Sequence, residues 1–433
     1  MLIRFDFKNH RSFKDAAEIS MFASSLKDEY ESTFTHPSLN KNDKISTVAV
    51  IYGANSSGKT GIISALDLMR DHILYSHSQG IPERRIPNNP FKLDDKSINE
   101  ETSFGIDFAI EELRYRYEFS YVDNYIINEN LYSFTNGRKT KLFEREKQDF
   151  SFGRSLSGQN KLIASVTRGN SLFLSAAAQN DHKQLMQIFS FFEKITLSTN
   201  IKDLRLSKKR KLDDRAITFL NLIGTGIVDW RAKKIEMSKQ NLKIKDKLVQ
   251  LFTELSNDLQ YKVEDNGDDE VILQFAHKAR KGEKYFDISD ESAGTQHLLR
   301  LLDPIFKTLD EGGILIIDEI DRSLHTQAVT AIIEMFLDKE FNKNHAQLIC
   351  TVHDTNILNC KNLRRDQIWL AEKNADNGSS ELFSIAEIKT RKGDNIEKAY
   401  TQGRYGGTPS GSVDLWLSLL KDHMKSSSKE NTK

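Results

Sequence analysis

Residues 53 to 60 read Gly53-Ala54-Asn55-Ser56-Ser57-Gly58-Lys59-Thr60. This is the G-x-x-x-x-G-K-[ST] pattern of a phosphate-binding loop, whose backbone N–H groups closely surround a triphosphate. The two glycines permit that close approach, while Lys59 can reach the β- and γ-phosphates and Thr60 can offer its hydroxyl to Mg²⁺. An apolar run precedes the loop and apolar residues at helical spacing follow it, which predicts a strand–loop–helix unit. The sequence therefore predicts that this loop binds a nucleoside triphosphate.

The composition excludes several classes of protein. The chain has 433 residues with 62 basic and 62 acidic side chains, so no overall field attracts it to nucleic acid or to a membrane. Its two cysteines, Cys350 and Cys360, lack the spacing of a zinc site or of a disulfide framework. The first residues lack the apolar core of a signal peptide, and no apolar run reaches about 18 residues. We expect a cytoplasmic protein with reduced thiols and no membrane partner.

Changes in residue pattern divide the chain into four predicted parts. Residues 1–180 begin with β-rich stretches and should form the first half of a nucleotide-binding core, with an antiparallel β-meander at about 100–150. Residues 181–280 are charged and helically patterned, which predicts an inserted helical lobe. Residues 281–420 should complete the core, and residues 421–433 are a Ser/Lys-rich tail that we expect to be disordered.

One basic run, Arg205-Leu206-Ser207-Lys208-Lys209-Arg210-Lys211, lies within the predicted lobe. Such a run can contact a phosphate backbone or the acidic face of a partner. Asp213 and Asp214 follow at once, which favours a solvated helix face. Nucleic acid therefore stays open as a partner, and any contact with it must be local.

A second motif supplies the acids that a triphosphate site requires. Ile314-Leu315-Ile316-Ile317 is a continuous apolar run, as in the buried strands of parallel sheets, and it ends in Asp318 and Glu319. Asp318 is placed to share Mg²⁺ with Thr60. Glu319 is the candidate general base, or water-orienting residue, for hydrolysis.

Two more motifs flank this strand. Upstream, Ser292 precedes a predicted helix, where a hydroxyl and exposed N–H groups form another anion site. Downstream, the apolar stretch 347–352 predicts a further strand that ends in His353. A histidine at that edge can contact a γ-phosphate or hold the attacking water.

The order of these motifs resembles that of the ABC/SMC-like ATPases. The resemblance implies an α/β fold, in which a mixed central sheet is flanked by helices, with ATP and Mg²⁺ as cofactors. It assigns the signature motif to Ser292, Ala293, Gly294 and Thr295, the Walker B pair to Asp318 and Glu319, the D-loop to Asp321 and the switch histidine to His353. It also implies a homodimer or larger oligomer, because the signature of one subunit caps the ATP held by another. Hydrolysis by Glu319, with Lys59 and His353, would then release the assembly.

The chain looks more closely like the AAA-type ATPases of bacterial abortive-infection phage resistance. The shared motifs are Phe7-Lys8-Asn9-His10-Arg11-Ser12-Phe13, Leu174-Ser175-Ala176-Ala177-Ala178-Gln179, Asp318-Glu319-Ile320-Asp321-Arg322-Ser323-Leu324-His325, and the segment from Tyr400 to Gly406. By this resemblance Arg11 lies near the nucleotide, and Gln179 is the Q-loop residue that joins Mg²⁺ to the lobe. Two departures stand out: His10 replaces an aromatic residue, and Glu291 replaces the leucine of transporter signatures.

These resemblances imply an anti-phage defence ATPase that acts as a sensor or scaffold and controls a co-encoded effector, a nuclease or toxin. An alternative is an SMC-like ATPase of DNA repair or recombination that clamps DNA directly. Its long-armed form is disfavoured, because the 239 residues from Gly53 to Ser292 (292 minus 53) contain no sustained heptads. A third reading makes the chain itself the nuclease. We do not expect this, because the 80 residues after His353 (433 minus 353) are too few for an appended TOPRIM domain beside the strands that the core still needs.

Overall fold

The structure is a computed structural model of the chain. It describes residues 1–25, 32–79, 81, 85–135, 137–197, 212–236, 269–389, 395–408, 417–418 and 420–421. The basic run at 205–211 lies outside the described residues, as does the predicted tail apart from Lys421. In the described part, no helix has the length and apolar character needed to cross a bilayer.

Strands and helices alternate along the second half of the chain, whereas strands dominate the first. The strands are Leu2–Lys8 (β1), Ala17–Ser20 (β2), Thr33–Phe34 (β3), Ile45–Ser46 (β4), Val48–Tyr52 (β5), Thr102–Ile110 (β6), Leu113–Val122 (β7), Tyr125–Thr135 (β8), Arg138–Glu146 (β9), Asp149–Phe152 (β10), Ile195–Leu197 (β11), Ile227–Glu236 (β12), Asp269–Lys278 (β13), Glu283–Asp287 (β14), Ile314–Ile317 (β15), Gln347–Thr351 (β16), Ile368–Lys373 (β17) and Ser380–Ser384 (β18). The helices are Lys59–Tyr75 (α1), Asn160–Val166 (α2), Phe173–Gln179 (α3), Lys183–Glu193 (α4), Asp214–Leu222 (α5), Ala293–Glu311 (α6), Thr326–Leu337 (α7) and Ile396–Thr401 (α8).

The predicted antiparallel meander is part of a seven-stranded sheet with the order β10-β9-β8-β7-β6-β1-β2. Every neighbouring pair in this sheet is antiparallel. Because side chains alternate between the faces of a strand, aromatic residues of β1, β6 and β7 all reach one face. That face joins α1, α3 and α4 in one buried apolar cluster.

The central sheet has six strands in the order β11-β15-β16-β5-β17-β18. Neighbours are parallel except for the antiparallel pair of β17 and β18, so the predicted mixed α/β sheet is confirmed. Alternate residues of its strands face two separate apolar clusters, one containing α1 and the other containing α6 and α7. Burial on both faces explains the continuous apolar runs in β5, β15 and β16.

The stretch predicted as a helical lobe is not wholly helical. It contains α4 and α5, but β12 and β13 also fall within it and form a three-stranded antiparallel sheet with β14. Its first strand, β11, pairs with β15 and therefore belongs to the central sheet. The error arose because strands that carry many charged residues also give scattered apolar spacing. Residues 198–211 and 237–268 of this stretch lie outside the described residues.

Candidate nucleotide-binding site

The strand order of the central sheet brings the predicted motifs together. β16 lies between β5 and β15, and all three strands run parallel. The phosphate loop follows β5, the acidic pair follows β15, and His353 follows β16. The carboxyl ends of parallel strands share one edge of a sheet, which is where α/β folds place their ligands.

The phosphate loop requires its two glycines for steric reasons. Gly58 has φ of 111°, and a Cβ there would lie 2.8 Å from Ser380 Oγ and 2.9 Å from Phe13 Cε2. A Cβ on Gly53 would overlap the carbonyl oxygen of Ala371. A side chain at either position would therefore displace the loop from β17, β18 and the N-terminal segment.

Lys59 is folded against its own loop. Its Nζ donates hydrogen bonds to the carbonyl oxygens of Gly53, at 2.7 Å, and Ala54, at 3.1 Å. Burial lowers the pKa of Lys59, while the carboxylates of Asp318, Asp321 and Glu319 partly offset that effect. An ammonium that is held close to the loop backbone and partly removed from water is well placed to bind a phosphate oxygen.

The loop opens onto a cavity of about 280 Å³. The residues that line it come from the N-terminal segment, the loop, the start of α1 and the ends of β15 and β16: Arg11, Ser12, Asn55, Ser56, Gly58, Lys59, Thr60, Gly61, Glu319 and His353. The structure thus places Arg11, Glu319 and His353 around the same cavity as the loop. Their chemical roles remain predictions.

The acidic pair is oriented by the neighbouring strand. Thr351 Oγ1 accepts a hydrogen bond from the Glu319 N–H, at 2.7 Å, and donates one to Asp318 Oδ1, at 2.6 Å. Glu319 has a left-handed φ of 52° and places its Oε1 3.9 Å from His353 Nε2. Its carboxylate and the imidazole are both partly exposed, at 43% and 41%. A carboxylate and an imidazole at this separation can together orient a water molecule.

Asp321 holds the backbone that carries the histidine. Its Oδ2 accepts hydrogen bonds from the N–H groups of His353, at 2.8 Å, and Asp354, at 2.7 Å. Two residues after Asp321, the Ser323 carbonyl oxygen packs closely on Gly294. A Cβ on Gly294 would overlap this oxygen. The Asp321 turn therefore joins the His353 edge to the signature motif within one chain.

The signature motif forms the start of α6. The Ser292 hydroxyl accepts a hydrogen bond from the Thr295 N–H, at 3.1 Å, and lies 2.9 Å from Thr295 Oγ1. Ser292 and Ala293 are exposed, whereas Thr295 is buried. None of the residues from Ser292 to Thr295 lines the cavity of the phosphate loop. One chain thus presents a loop site and a separate signature surface.

Gln179 does not reach the cavity, contrary to its assignment as a Q-loop residue. It is the exposed last residue of α3 and is absent from the cavity lining. The first half of α3 is anchored beside the end of α1 furthest from Lys59, where the His77 N–H donates to Ser175 Oγ. A glutamine at the end of a buried helix has the same local sequence as a Q-loop residue, so the pattern could not separate them.

Other predicted residues do not line the cavity. The carbonyls of Gly53 and Ala54 hold Lys59, Ser57 is buried within the loop, and Asp318 is held by Thr351. The residues that could hold Mg²⁺ are the Thr60 hydroxyl and the Asp318 carboxylate, both oxygen donors of the kind this ion prefers. Across the described part of the chain, no three His, Cys, Asp or Glu side chains form a metal cluster. Two protein ligands suffice where phosphate oxygens and water complete the coordination.

Sequence reasoning missed Ser12 and Gly61 as lining residues. The Ser12 carbonyl accepts a hydrogen bond from the Ser380 N–H, at 2.7 Å, so the N-terminal segment is joined to β18 beside the loop. The motif from Phe7 to Phe13 carried the signal, but only Arg11 was assigned to the site.

Solved SMC head domains share low similarity with this chain. The SMC head domain from Thermotoga maritima is 15% identical, with 90% of this chain and 99% of that chain covered and a TM-score of 0.38. The Smc head domain with an extended coiled coil, bound to the C-terminal domain of ScpA and derived from Pyrococcus furiosus, is 13% identical. It covers 93% of this chain and 98% of its own, with a TM-score of 0.37. No curated protein matches the chain.

A family model matches residues 48–359, which is more than half of the chain. The matched region begins in β5 and ends after His353, so it contains the phosphate loop, the signature and the acidic pair. The model is described as "AAA domain, putative AbiEii toxin, Type IV TA system". The chain therefore belongs to this family of AAA domains.

Proposed function

We propose that this chain is an ATPase whose subunits associate when ATP binds and separate after ATP is hydrolysed. The observation that supports it best is the separation of two halves of a site within one chain. Lys59, Glu319 and His353 surround one cavity, whereas Ser292 and Ala293 are exposed elsewhere. A second copy can complete the site by placing its signature over the first copy's triphosphate.

The loop binds the triphosphate in this proposal. Backbone N–H groups of the loop and the N-terminus of α1 face the phosphates, while Lys59 exchanges its carbonyl partners for phosphate oxygens. Arg11 adds a second positive charge at the same cavity. Thr60 and Asp318 would hold Mg²⁺, which would supply positive charge to the phosphates.

Hydrolysis uses the groups at the ends of β15 and β16. Glu319 accepts a proton from a water molecule whose oxygen bonds to the γ-phosphorus. The bond between the γ-phosphorus and the bridging oxygen breaks, which leaves ADP and inorganic phosphate. His353 orients the water from the other side, and Asp321 holds His353 in place through its backbone.

The second copy contributes the positive end of α6. Ser292 caps this helix, so its hydroxyl and the first N–H groups of the helix can meet the γ-phosphate of a neighbouring subunit. A two-fold arrangement creates two equivalent sites, because each copy gives one loop and one signature. We place the core in residues 1–180 and 281–420, apart from β14, together with β11, and the lobe in the remaining residues of 181–280 together with β14.

The cellular role that we propose is bacterial anti-phage defence in the cytoplasm. The family description names a putative toxin of a Type IV TA system, which supports a role beside a partner protein. In our proposal the ATP-dependent oligomer is the sensor or scaffold and controls a separate toxic effector, a nuclease. The alternative is a DNA-repair ATPase that clamps DNA without an effector.

The variant Glu319→Gln tests the proposal. It keeps the shape of the site but cannot accept the proton, so it should bind ATP, lose hydrolysis at least about a hundredfold and accumulate as the assembly. Mass by light scattering and phosphate release are measured with ATP and Mg²⁺, beside the exposed control Glu340→Gln. A Glu319→Gln protein that stays monomeric at saturating ATP would contradict the proposal. DNA binding by the protein alone would favour the clamp.

A further inference from the structure

A short turn connects Ser292 to the three-stranded sheet of β12, β13 and β14, which we call the lobe sheet. β14 ends at Asp287, five residues before Ser292 (292 minus 287), and Ile288–Asp290 form a 3₁₀ turn between them. The backbone N–H of Glu291 closes this turn on the Ile288 carbonyl, at 3.3 Å. With so few residues between them, the position of β14 constrains that of Ser292.

The first attachment of this turn is a side-chain contact from β13. His277 Nε2 lies 2.8 Å from Glu291 Oε1, and the Glu291 side chain is only 8% exposed. The Glu291 carbonyl accepts a second hydrogen bond, from Gln296 Nε2 at 2.9 Å. Glu291 is therefore held from two sides at the position immediately before Ser292. This contact also gives a physical reason for a glutamate here in place of the transporter leucine.

The second attachment fixes the other end of the turn. Gln274 Nε2 donates to Asp287 Oδ1, at 2.7 Å, and Arg231 Nε donates to Gln274 Oε1, at 2.8 Å. The Arg231 guanidinium also lies over the Tyr285 ring, 3.9 Å from its centroid. All three strands of the lobe sheet thus contribute to holding the turn.

The core holds the signature from the opposite side. Gly294 rests against the Ser323 carbonyl, in the turn that begins at Asp321. Neither His277 nor Glu291 lines the cavity of the phosphate loop. The pair is therefore separate from the groups that surround the cavity of the same subunit.

We propose that His277 and Glu291 are a positioning pair that holds Ser292 in the orientation needed to meet the triphosphate of a second subunit. The pair makes the lobe sheet a control on assembly and leaves ATP binding at the subunit's own loop unchanged. This inference rests on the proposed function, because it concerns the same composite site.

The test compares three changes in the Glu319→Gln protein, which is the parent. Glu291→Ala removes the partner of His277, Glu291→Gln keeps an oxygen that His277 can bond, and Glu283→Ala truncates an exposed glutamate of β14 as a matched control. Each protein is titrated with a fluorescent ATP analogue, and its mass is then followed by light scattering over a range of protein concentrations with ATP and Mg²⁺. His277→Ala provides a second route to the same loss.

Glu291→Ala and His277→Ala should raise the protein concentration at half-assembly by about tenfold or more, as expected for the loss of a largely buried hydrogen bond. Their affinity for the analogue should match the parent, and Glu291→Gln and Glu283→Ala should assemble like it. If Glu291→Ala assembles like the parent, or loses analogue affinity in step with assembly, the positioning role is wrong. If the parent itself does not assemble with ATP, the proposed function fails and the role of the pair fails with it.

Discussion

Gly58 shows how one residue constrains the whole phosphate loop. Its left-handed backbone and the three atoms around its missing side chain leave no room for a methyl group. The nearest atoms belong to Ser380, Phe13 and Ser12, which come from two distant parts of the chain. The loop motif predicts a glycine here for the approach of phosphate, and the structure adds a packing requirement.

Replacing Gly58 with alanine should therefore destabilise the protein and weaken nucleotide binding. A strained φ costs about 1–2 kcal/mol, and the displacement of the buried Phe13 ring adds to it. Gly282→Ala is the matched control, because Gly282 also has a positive φ, of 73°, but nothing lies within 4 Å of the added methyl. Denaturant unfolding and titration with an ATP analogue measure both effects. Equal losses of stability in the two variants would refute the packing requirement.

At the residue scale, local motifs predicted candidate chemical groups but not the contacts that orient them. Local motifs identify Lys59 and Glu319, because spacing within a few residues defines them. The bonds that orient Glu319 and His353 come from Thr351 and Asp321, and only the sheet brings these groups together. Gln179 was misplaced because its motif is purely local, and the residue does not line the cavity.

At the scale of elements, an aromatic cluster joins β1 and β6 to α1. His10 occupies a position in it, with its ring 6.3 Å from that of Phe7 and 6.1 Å from that of Phe104, in edge-on geometry. Its Nε2 lies 3.1 Å from Ser64 Oγ on α1. Burial, with smaller contributions from Arg11 and His72, lowers the pKa of His10 from 6.5 to about 4. The structure thus explains how a histidine replaces the aromatic residue usual at this position.

This pKa predicts a loss of stability in acid. Between pH 6.5 and about 4 the unfolded chain binds a proton at His10 that the folded chain excludes, so the free energy of unfolding falls as pH falls. At pH 5 this protonation lowers the free energy of unfolding by about 2 kcal/mol. His10→Phe should remove it, so the variant should lose less stability than the wild type between pH 8 and pH 5. The free energy of unfolding of both proteins is measured against pH by denaturant unfolding. If the two profiles run parallel, His10 does not titrate as expected.

Elements that long-range contacts define were the hardest to predict. The buried pair of Arg145 on β9 and Glu129 on β8 illustrates this, because Glu129 also accepts hydrogen bonds from the Phe173 and Leu174 N–H groups at the start of α3. Both side chains are fully buried. Alternation alone predicts the meander strands, but no local pattern shows which helix a buried glutamate will cap. The lobe strands were missed for the same reason, since only their pairing with β14 reveals them.

At the scale of the whole molecule, nucleotide binding should stabilise the protein against heat. A ligand that binds only the folded state at about a hundred times its dissociation constant adds about 2.7 kcal/mol. ATP with Mg²⁺ should therefore raise the melting temperature, and Lys59→Ala should abolish most of the rise. Thermal unfolding with and without nucleotide measures it, with the exposed Lys361→Ala as the control. If nucleotide raises the melting temperature of Lys59→Ala as much as that of the wild type, the nucleotide binds elsewhere.

The order of strands in the central sheet also has a consequence for synthesis on the ribosome. β5 carries the phosphate loop near the start of the chain, but its neighbours are β16 and β17, and β16 begins 295 residues after β5 ends (347 minus 52). At about 5–20 residues per second, β5 waits at least about 15 seconds for its first neighbour to be translated. Nascent chains that stop before β16 cannot form the site, so incomplete products should be inert toward ATP. Activity toward ATP would then appear only in chains whose translation has continued beyond β16.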